Sequence, residues 1–378
     1  MAKVARRLRG SRSSHQWKLR VRFTLHGTVL GRGLAPPFRE SATAMTPLAG
    51  SRLRVILIVL CCGLILSATV LLGLSTGARH MPFGTVFDAI RGRADDEASL
   101  IFWDIRLPRV TLATLVGAAL AVSGGIIQSV TRNPLGDPGL LGLNAGAGLA
   151  IIIGTGTLGT DIISSPFWLA AIGAGLAAFT VQALAGLPTP MRLTLAGIAV
   201  GAFCFGLTQA IALTDPDRFD LVRNWRAASL AAATAKNVLA SLWVFVPGFL
   251  VALWIAPRIG LIALGDDRAA SLGVSVHRTR FISLITVMLL AGGATAASGP
   301  IAFIGLAAPH IARRAVQAGE GATLAVTAFI GAELVILADA IARTVIAPNE
   351  IPISVVIALL GAPFLIFMAR RRQPTRQA

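Results

Sequence analysis

Four charged side chains lie within or beside strongly apolar stretches of this chain, where an unpaired charge is costly. Asp339 precedes Arg343 by four residues, and Arg106 precedes Arg109 by three, just before an apolar run. A spacing of four places two side chains on one helical face, so Asp339 and Arg343 can form an ion pair that lowers the cost of an acid inside a membrane. The chemistry that this spacing predicts is charge pairing.

Glu333 and Asp339 are the two acids that fall inside an apolar stretch. No arginine lies within one helical turn of Glu333, so its carboxylate is expected to face either a pore or a neighbouring helix. Both acids would be coupling groups in an ion-coupled secondary transporter. That function is the alternative from a different class.

The cysteines and histidines indicate neither a metal site nor a catalytic set. Cys61, Cys62 and Cys204 lie in apolar runs, and the five histidines are scattered. No Cys or His neighbour stands at ligand spacing, so no metal site and no disulfide framework is predicted. Because no nucleophile or base is assembled either, we expect no catalytic residue and predict that the protein is not an enzyme.

The lysines exclude a nucleotide-binding loop of the Walker type. The chain has only Lys3, Lys18 and Lys236, and none of them follows a glycine. A Walker loop requires Gly-Lys-Ser/Thr. We therefore expect the chain to bind no cofactor, and if ATP drives its activity, ATP and Mg²⁺ lie on a partner subunit.

The composition indicates a polytopic membrane protein. Of 378 residues, 55% are hydrophobic and 13% are charged, which does not make a water-soluble surface. The net charge of +17 is concentrated at the ends: residues 1–54 hold 12 Lys/Arg against one acid, and residues 370–378 hold four Arg against none. Such termini are typical of cytoplasmic orientation signals and of contact with lipid headgroups, so no nucleic acid is expected as a partner.

Nine apolar runs are long enough to cross a bilayer, which takes roughly 17 to 25 helical residues. They are 53–75, 110–130, 139–158, 166–187, 193–213, 237–257, 281–299, 322–343 and 351–369. A short run over 300–312 makes a tenth element, which returns both basic termini to the cytoplasm. We predict an all-α, multi-pass protein of the cell (cytoplasmic or inner) membrane with about ten transmembrane helices, the eighth short.

The stretch from Ser298 to Arg313 contains that short element. It is apolar enough for a bilayer, too short to cross one, and punctuated by Gly299, Pro300 and Pro309. Irregular backbone at membrane depth is tolerated only where it is buried in protein or lines a cavity. The stretch therefore predicts a broken or half-length helix inside a transporter.

Several motifs occur together and in order along the chain. They are Trp103–Arg109, Gly117–Gly124, Arg132–Gly139, Leu264–Asp267, Ala270–Val274, Gly299–Arg313, Glu350–Pro352 and Gly361–Phe364. Together they resemble the FecCD family, the permease subunits of ABC importers for iron-siderophores, haem and vitamin B12. The resemblance covers about residues 55–372.

This resemblance implies the ABC type II importer permease fold and a set of partners. The partners are a second permease, as a homodimer or a heterodimer, two ATPase subunits and an extracytoplasmic substrate-binding protein. We therefore assign residues 51–372 to a transmembrane permease domain and residues 373–378 to a cytoplasmic tail. Residues 1–50 are predicted to be a basic extension, disordered or on the cytoplasmic surface; a start codon placed too early is the alternative.

The resemblance also assigns a docking role to Arg106, Arg109 and Arg343. In the family, the arginines of these motifs form salt bridges to glutamates of the substrate-binding protein. From the residues alone, Arg106 and Arg109 could equally reach lipid headgroups.

The loop from about 258 to 280 is predicted to couple the permease to its ATPase. It mixes apolar and charged residues, as does a short amphipathic element that docks on a soluble partner. From the pattern alone an interfacial helix is the alternative, but the resemblance implies coupling helices here. The residues assigned to coupling are Leu264, Gly265, Asp266, Asp267, Ala270, Ser271, Leu272 and Gly273.

Two further segments bear on the pathway of the substrate. Pro188, Thr189, Pro190 and Met191 lie where relatives place a cytoplasmic gate, and two prolines would stiffen this turn. Arg223, Arg226 and Lys236 lie near the predicted external mouth, where positive charge would favour an anionic ligand, although Asp215, Asp217 and Asp220 offset it. Iron(III)-siderophore import is the expected function, with haem or vitamin B12 as alternative substrates.

Overall fold

Helices account for all regular secondary structure in the part of the chain that the structure describes. The structure is a computed structural model, and it describes residues 48–77, 79, 81–158, 166–186 and 190–370. Fourteen α-helices run through these residues: α1 Leu48–Ser75, α2 Phe83–Ile90, α3 Asp96–Leu100, α4 Leu107–Thr131, α5 Leu143–Leu158, α6 Pro166–Ala185, α7 Pro190–Ala212, α8 Pro216–Arg226, α9 Ala235–Ala263, α10 Asp266–Ser271, α11 Val276–Ser298, α12 Ile304–Ala315, α13 Glu320–Thr344 and α14 Ile353–Arg370. A π-helical turn, Ile101–Arg106, joins α3 to α4.

Among the described residues, seven helical stretches are long and apolar enough to cross a membrane. They are Leu53–Ser75, Asp96–Thr131, Phe167–Ala185, Met191–Ala212, Ala235–Ala263, Val276–Ser298 and Glu320–Thr344. The apolar parts of α5 and α14 are shorter, Leu143–Thr155 and Ile353–Ile366. The all-α membrane class is therefore confirmed, and a helix lies at each predicted run, but the count of ten crossings stays a prediction.

Helix α4 lies at the centre of the bundle. Its most extensive contacts are with α13, and it also packs against α9, α11 and α12. Of its most apolar stretch, 78% is buried inside the protein, whereas only 6% of the corresponding stretch of α1 is buried. In a membrane α1 therefore presents most of its surface to lipid, and α4 presents little.

Glycine pairs allow the central helices to approach closely. Gly117 of α4 faces Gly331 of α13, and Gly124 of α4 faces Gly305 of α12; a Cβ atom added at Gly117 or Gly124 would overlap the opposing backbone. Without a hydrophobic driving force between helices, such small residues supply the van der Waals contact that holds a membrane bundle together.

Two glycine pairs at four-residue spacing, Gly142/Gly146 and Gly197/Gly201, lie at helix contacts in some positions but not in all. Gly146 faces Gly173 of α6, and Gly197 lies against the carbonyl of Leu140. Gly201 faces open space, and Gly142 has φ +70° at the end of a short 3-10 turn.

The predicted break near residue 300 is present. Helix α11 ends at Ser298, Gly299 has φ +77° and Phe303 has φ +76°, and the short α12 begins at Ile304. The Phe303 ring packs edge-on against Phe364 of α14, with 5.6 Å between ring centroids. The half-length helix is therefore held by an aromatic contact to the last helix.

We expect Gly124→Ala to destabilise the protein, because its methyl group would enter the backbone of α12. Overpacking of this kind costs about 1 to 3 kcal/mol. Gly201→Ala is the matched control, since nothing lies within 4 Å of the added methyl. The measurement is the unfolding midpoint of each variant in detergent; equal midpoints would contradict the close-packing interpretation.

Candidate functional site

A cluster of buried charges joins the ends of α1, α4 and α13 to the segment before α14. Arg109 donates hydrogen bonds to Asp339 at 2.8 and 3.0 Å. It also donates two hydrogen bonds of 2.8 Å to Glu350. The side chains of Arg109 and Asp339 are 7% and 1% exposed. This bidentate geometry supplies the pairing that buried charges require.

Arg343 completes the pairing of Asp339. The two side chains are 3.0 Å apart at the predicted spacing of four, so that ion pair is confirmed. Arg343 also donates to the carbonyls of Gly73 and Thr76, at 3.1 and 3.0 Å, near the end of α1. A cation at the end of a helix satisfies carbonyls that have no partner within it and opposes the helix dipole.

Arg106 differs from the other two arginines. It donates to the carbonyls of Leu74 and Arg79, and among the described residues it has no carboxylate partner. It also lines a cavity of about 270 Å³ together with Arg79 and Glu97, which form an exposed ion pair. Arg106 is therefore the arginine of the cluster whose charge is left for an anion from outside the chain.

Glu350 is a member of the cluster to which the sequence assigned no role. It is 38% exposed at the side chain and lies in the segment between α13 and α14. Its hydrogen bonds with Arg109 hold the pKa of Glu350 below its ordinary value. The contribution of this pair to stability is thus present near neutral pH and is lost as the pH falls through the lowered pKa.

The structure brings the three arginines predicted to dock a partner into this one cluster. Counted over the whole residue, Arg106, Arg109 and Arg343 are each 5% exposed. Their partners within the chain account for this burial. Docking itself is not tested by these contacts and stays a prediction.

The predicted coupling segment forms a short helix between two glycines. Gly265, with φ +125°, precedes α10, and Gly273, with φ +80°, follows it. Ala269 is buried against the bundle, whereas Leu264 and Leu272 are 59% and 63% exposed. Asp267, Ala270, Ser271 and Gly273 are exposed as well. The segment therefore presents an apolar surface with an acidic neighbour.

Asp266 holds this short helix to the bundle. It forms ion pairs with Arg132, at the end of α4, and with Arg280 of α11, the latter at 3.0 Å. Arg132 is in the left-handed region, φ 51°, and its Nε donates to the carbonyl of Ile262 at 3.2 Å. We call Arg132, Asp266 and Arg280 the anchor triad. Asp266 and Asp267, paired in the sequence prediction, therefore have different surroundings.

A second polar cluster fixes the far end of α12. Arg313 donates to Gln128 at 3.0 Å and to Ser129 at 2.8 Å, both on α4. Gln128 in turn donates to the carbonyl of Gly305 at 3.0 Å. Ser129 donates to Glu320 of α13 at 2.5 Å. The short helix is thus tied to α4 at both its beginning and its end.

The structure says less about the predicted gate and the unpaired acid. Pro188 and Thr189 lie outside the described residues, Pro190 is the first residue of α7, and Met191 is 74% exposed. Glu333 is half-buried on α13, and among the described residues its Oε1 has no hydrogen-bond partner. No group of three His, Cys, Asp or Glu that could hold a metal ion occurs in the described part of the chain.

The sequence matches the model of the FecCD transport family over residues 64–371. It is 42% identical over 316 residues to the ferric enterobactin transport system permease protein FepD of Escherichia coli, covering 82% of this chain and 93% of that protein. It is 40% identical over 291 residues to the iron(3+)-hydroxamate import system permease protein FhuG of Bacillus subtilis, covering 74% and 85%.

The fold is similar to that of a solved transporter. That structure is an inward-facing conformation of a metal-chelate type ABC transporter, with a TM-score of 0.72 and 25% identity. The match covers 84% of this chain and 99% of the solved chain. The resemblance therefore extends over nearly all of the helical bundle.

We expect Asp339→Asn to destabilise the protein, because it leaves Arg343 without its carboxylate partner and Arg109 with Glu350 alone. Removing one partner of a buried charge pair costs about 3 to 5 kcal/mol. Glu97→Gln is the control, since it breaks the exposed pair with Arg79, which contributes about 0 to 1 kcal/mol. The unfolding midpoint in detergent measures both, and a small loss for Asp339→Asn would contradict the role given to the cluster.

Proposed function

The chain belongs to the FecCD transport family, and on that basis we propose that it is the membrane-spanning permease subunit of an ATP-driven importer of iron(III)-siderophore complexes. It is a transport component and not an enzyme. The substrate class is supported by relatives whose substrates are ferric enterobactin and an iron(3+)-hydroxamate. Haem and vitamin B12 stay alternative substrates.

The observation that carries this proposal is the exposed apolar surface formed by two leucines beside α10, a helix that ion pairs hold to the bundle. Leu264 and Leu272, which flank α10, are exposed although leucine favours burial, and the anchor triad fixes the helix between them. A short helix held in this way can dock into a groove of a soluble partner. We propose that the partner is the ATPase subunit, with ATP and Mg²⁺ bound there.

The contacts support a mechanical route from this helix to the pore. Displacement of α10 moves Asp266, which pulls on Arg132 of α4 and Arg280 of α11. Helix α4 packs without intervening side chains against α12 and α13 through its glycines. Because close-packed helices move as bodies, closure of the ATPase dimer would be transmitted to the centre of the permease and would alternate its access between the two sides.

The finer architecture also belongs to the proposal. We propose ten membrane crossings with both termini in the cytoplasm, α12 being the short eighth element. The pore would lie between this chain and a second permease, identical or not, with two ATPase subunits on one side and a substrate-binding protein on the other. The basic termini support this orientation.

An ion-coupled mechanism loses one of its two candidate acids. Asp339 is bonded to two arginines and is 1% exposed, so it is not free to bind and release an ion. Glu333 alone would have to couple transport. We therefore retain the ATP-driven importer as the proposed function.

We expect Leu264→Asp combined with Leu272→Asp to abolish co-purification of the ATPase subunit and ATP-dependent uptake of the iron chelate, because the docking surface becomes charged. Leu100→Asp is the control: this leucine is 56% exposed at the predicted outer end. Co-purification with the tagged permease measures the association. Retention of the ATPase by the double variant would place the coupling surface elsewhere.

We expect Arg106→Gln to weaken binding of the substrate-binding protein by up to about fivefold, because one charge lining the cavity is lost, at a cost of about 1 kcal/mol or less. Arg106→Lys, which keeps the charge, should retain more of the affinity. Arg91→Gln, an exposed arginine outside the cavity, is the control for net charge. Affinities at low and high salt are the measurement; unchanged, salt-independent binding by Arg106→Gln at a normal unfolding midpoint would refute docking at Arg106.

A further inference from the structure

A second cavity lies where α5, α7 and α8 meet the turn between α11 and α12. It has a volume of about 270 Å³. Its lining includes Asn144, Phe205, Thr208, Trp225, Arg226 and Pro300. Two aromatic rings, one cation and two small polar side chains thus surround one space, at the turn where the membrane helix is broken.

Two of the three arginines on α8 are paired with nearby acids, and within the described part of the chain the last residue of the helix, Arg226, is not. Arg218 pairs with Asp215, and Arg223 pairs with Asp220, both at 3.1 Å and within one helical turn. Arg226 has no carboxylate partner among the described residues. Its guanidinium instead lies 4.8 Å from the centre of the Phe205 ring. Asp215 and Asp220 are thus engaged by other arginines, Asp217 forms no ion pair among the described residues, and Arg226 is available.

Donor groups accompany this cation. Thr295 donates a hydrogen bond of 2.9 Å to Oδ1 of Asn144, so the amide nitrogen of Asn144 is the end left for a ligand. The indole Nε1 of Trp225 is buried and has no acceptor among the described residues. A buried donor without an acceptor costs free energy, which an oxygen atom of a ligand would recover.

We propose that this cavity is a binding subsite for one arm of an anionic, aromatic iron(III) chelate, a catecholate in preference to a hydroxamate. Three catecholate arms give Fe³⁺ a complex with net negative charge, whereas three hydroxamate arms give an uncharged one. Arg226 supplies charge and, with Phe205 and Trp225, surfaces for an aromatic ring. Asn144 and Trp225 supply donors for its oxygens.

This proposal rests on the iron-chelate import proposed above and specifies the class of chelate. The volume of about 270 Å³ suits a single aromatic arm and its oxygens rather than a whole three-armed complex. The cavity would therefore select among chelates at the predicted outer end of the pathway, with the rest of each complex outside it.

The test measures direct binding to the full chain in lipid nanodiscs. The probes are the iron(III) tris-complexes of 2,3-dihydroxybenzoate and of acetohydroxamate, and quenching of tryptophan fluorescence reports binding. We expect the wild-type chain to bind the catecholate complex saturably and more tightly than the hydroxamate complex. High salt should reduce this difference.

Two variants and one control distinguish binding in this cavity from general electrostatic attraction of the anionic complex to the protein. Arg226→Gln should weaken catecholate binding about tenfold, and Trp225→Phe, which removes the N–H and keeps an aromatic ring, should weaken it about threefold. Arg223→Gln removes the same charge from the same helix and should leave binding unchanged, because Arg223 is already paired with Asp220.

Three results would overturn the proposal: no saturable binding by the wild-type chain, wild-type affinity in Arg226→Gln, or equal losses in Arg226→Gln and Arg223→Gln. Uptake of the hydroxamate complex by the assembled transporter separates this result from the proposed function. Arg226→Gln should retain that uptake if the chain is an iron-chelate importer. Its absence in the wild-type transporter, together with absent catecholate uptake, would count against the importer itself.

Discussion

The pairing of Asp339 with two arginines is the interaction on which one end of this bundle depends. A carboxylate that is 1% exposed inside an apolar bundle is tolerable only when cations and hydrogen bonds compensate its burial. Arg109 and Arg343 reach it from different helices and then use their remaining donors on Glu350 and on carbonyls at the end of α1. One acid therefore determines how α1, α4, α13 and the segment before α14 meet.

At the other end of α4 the same principle acts in a more exposed setting. The anchor triad consists of one acid between two arginines, but its side chains are in part accessible to water. Exposed ion pairs are weaker and are screened by salt. One end of the bundle is thus held by buried ion pairs, and the other end by partly exposed ion pairs that break more easily. Helix α4 connects the two ends and contacts its neighbours through glycines. Such an arrangement suits a protein that moves at the end where the proposed ATPase subunit would bind.

Local spacing and apolar run length predicted much of this arrangement. The ion pair of Asp339 with Arg343 lies within one turn and follows from helical geometry alone, and the break after Ser298 follows from glycine and proline. Contacts between residues far apart in the chain were not accessible in this way. Arg109 and Asp339 are 230 residues apart, and Arg132 and Asp266 are 134 apart. The sequence therefore indicated that three arginines matter but not that they are buried, and it gave Arg132 no role.

The sparse packing of α1 has a consequence for the order in which the protein assembles. Its principal contact is α13, and the cation that binds the carbonyls of Gly73 and Thr76 is Arg343, which lies about 270 residues later in the chain. During synthesis α1 enters the bilayer long before either partner exists. Until then α1 is held by its leucine-rich surface in lipid and by a few contacts with earlier segments, such as the hydrogen bond from Arg106 to the carbonyl of Leu74, and its main packing partner joins it late.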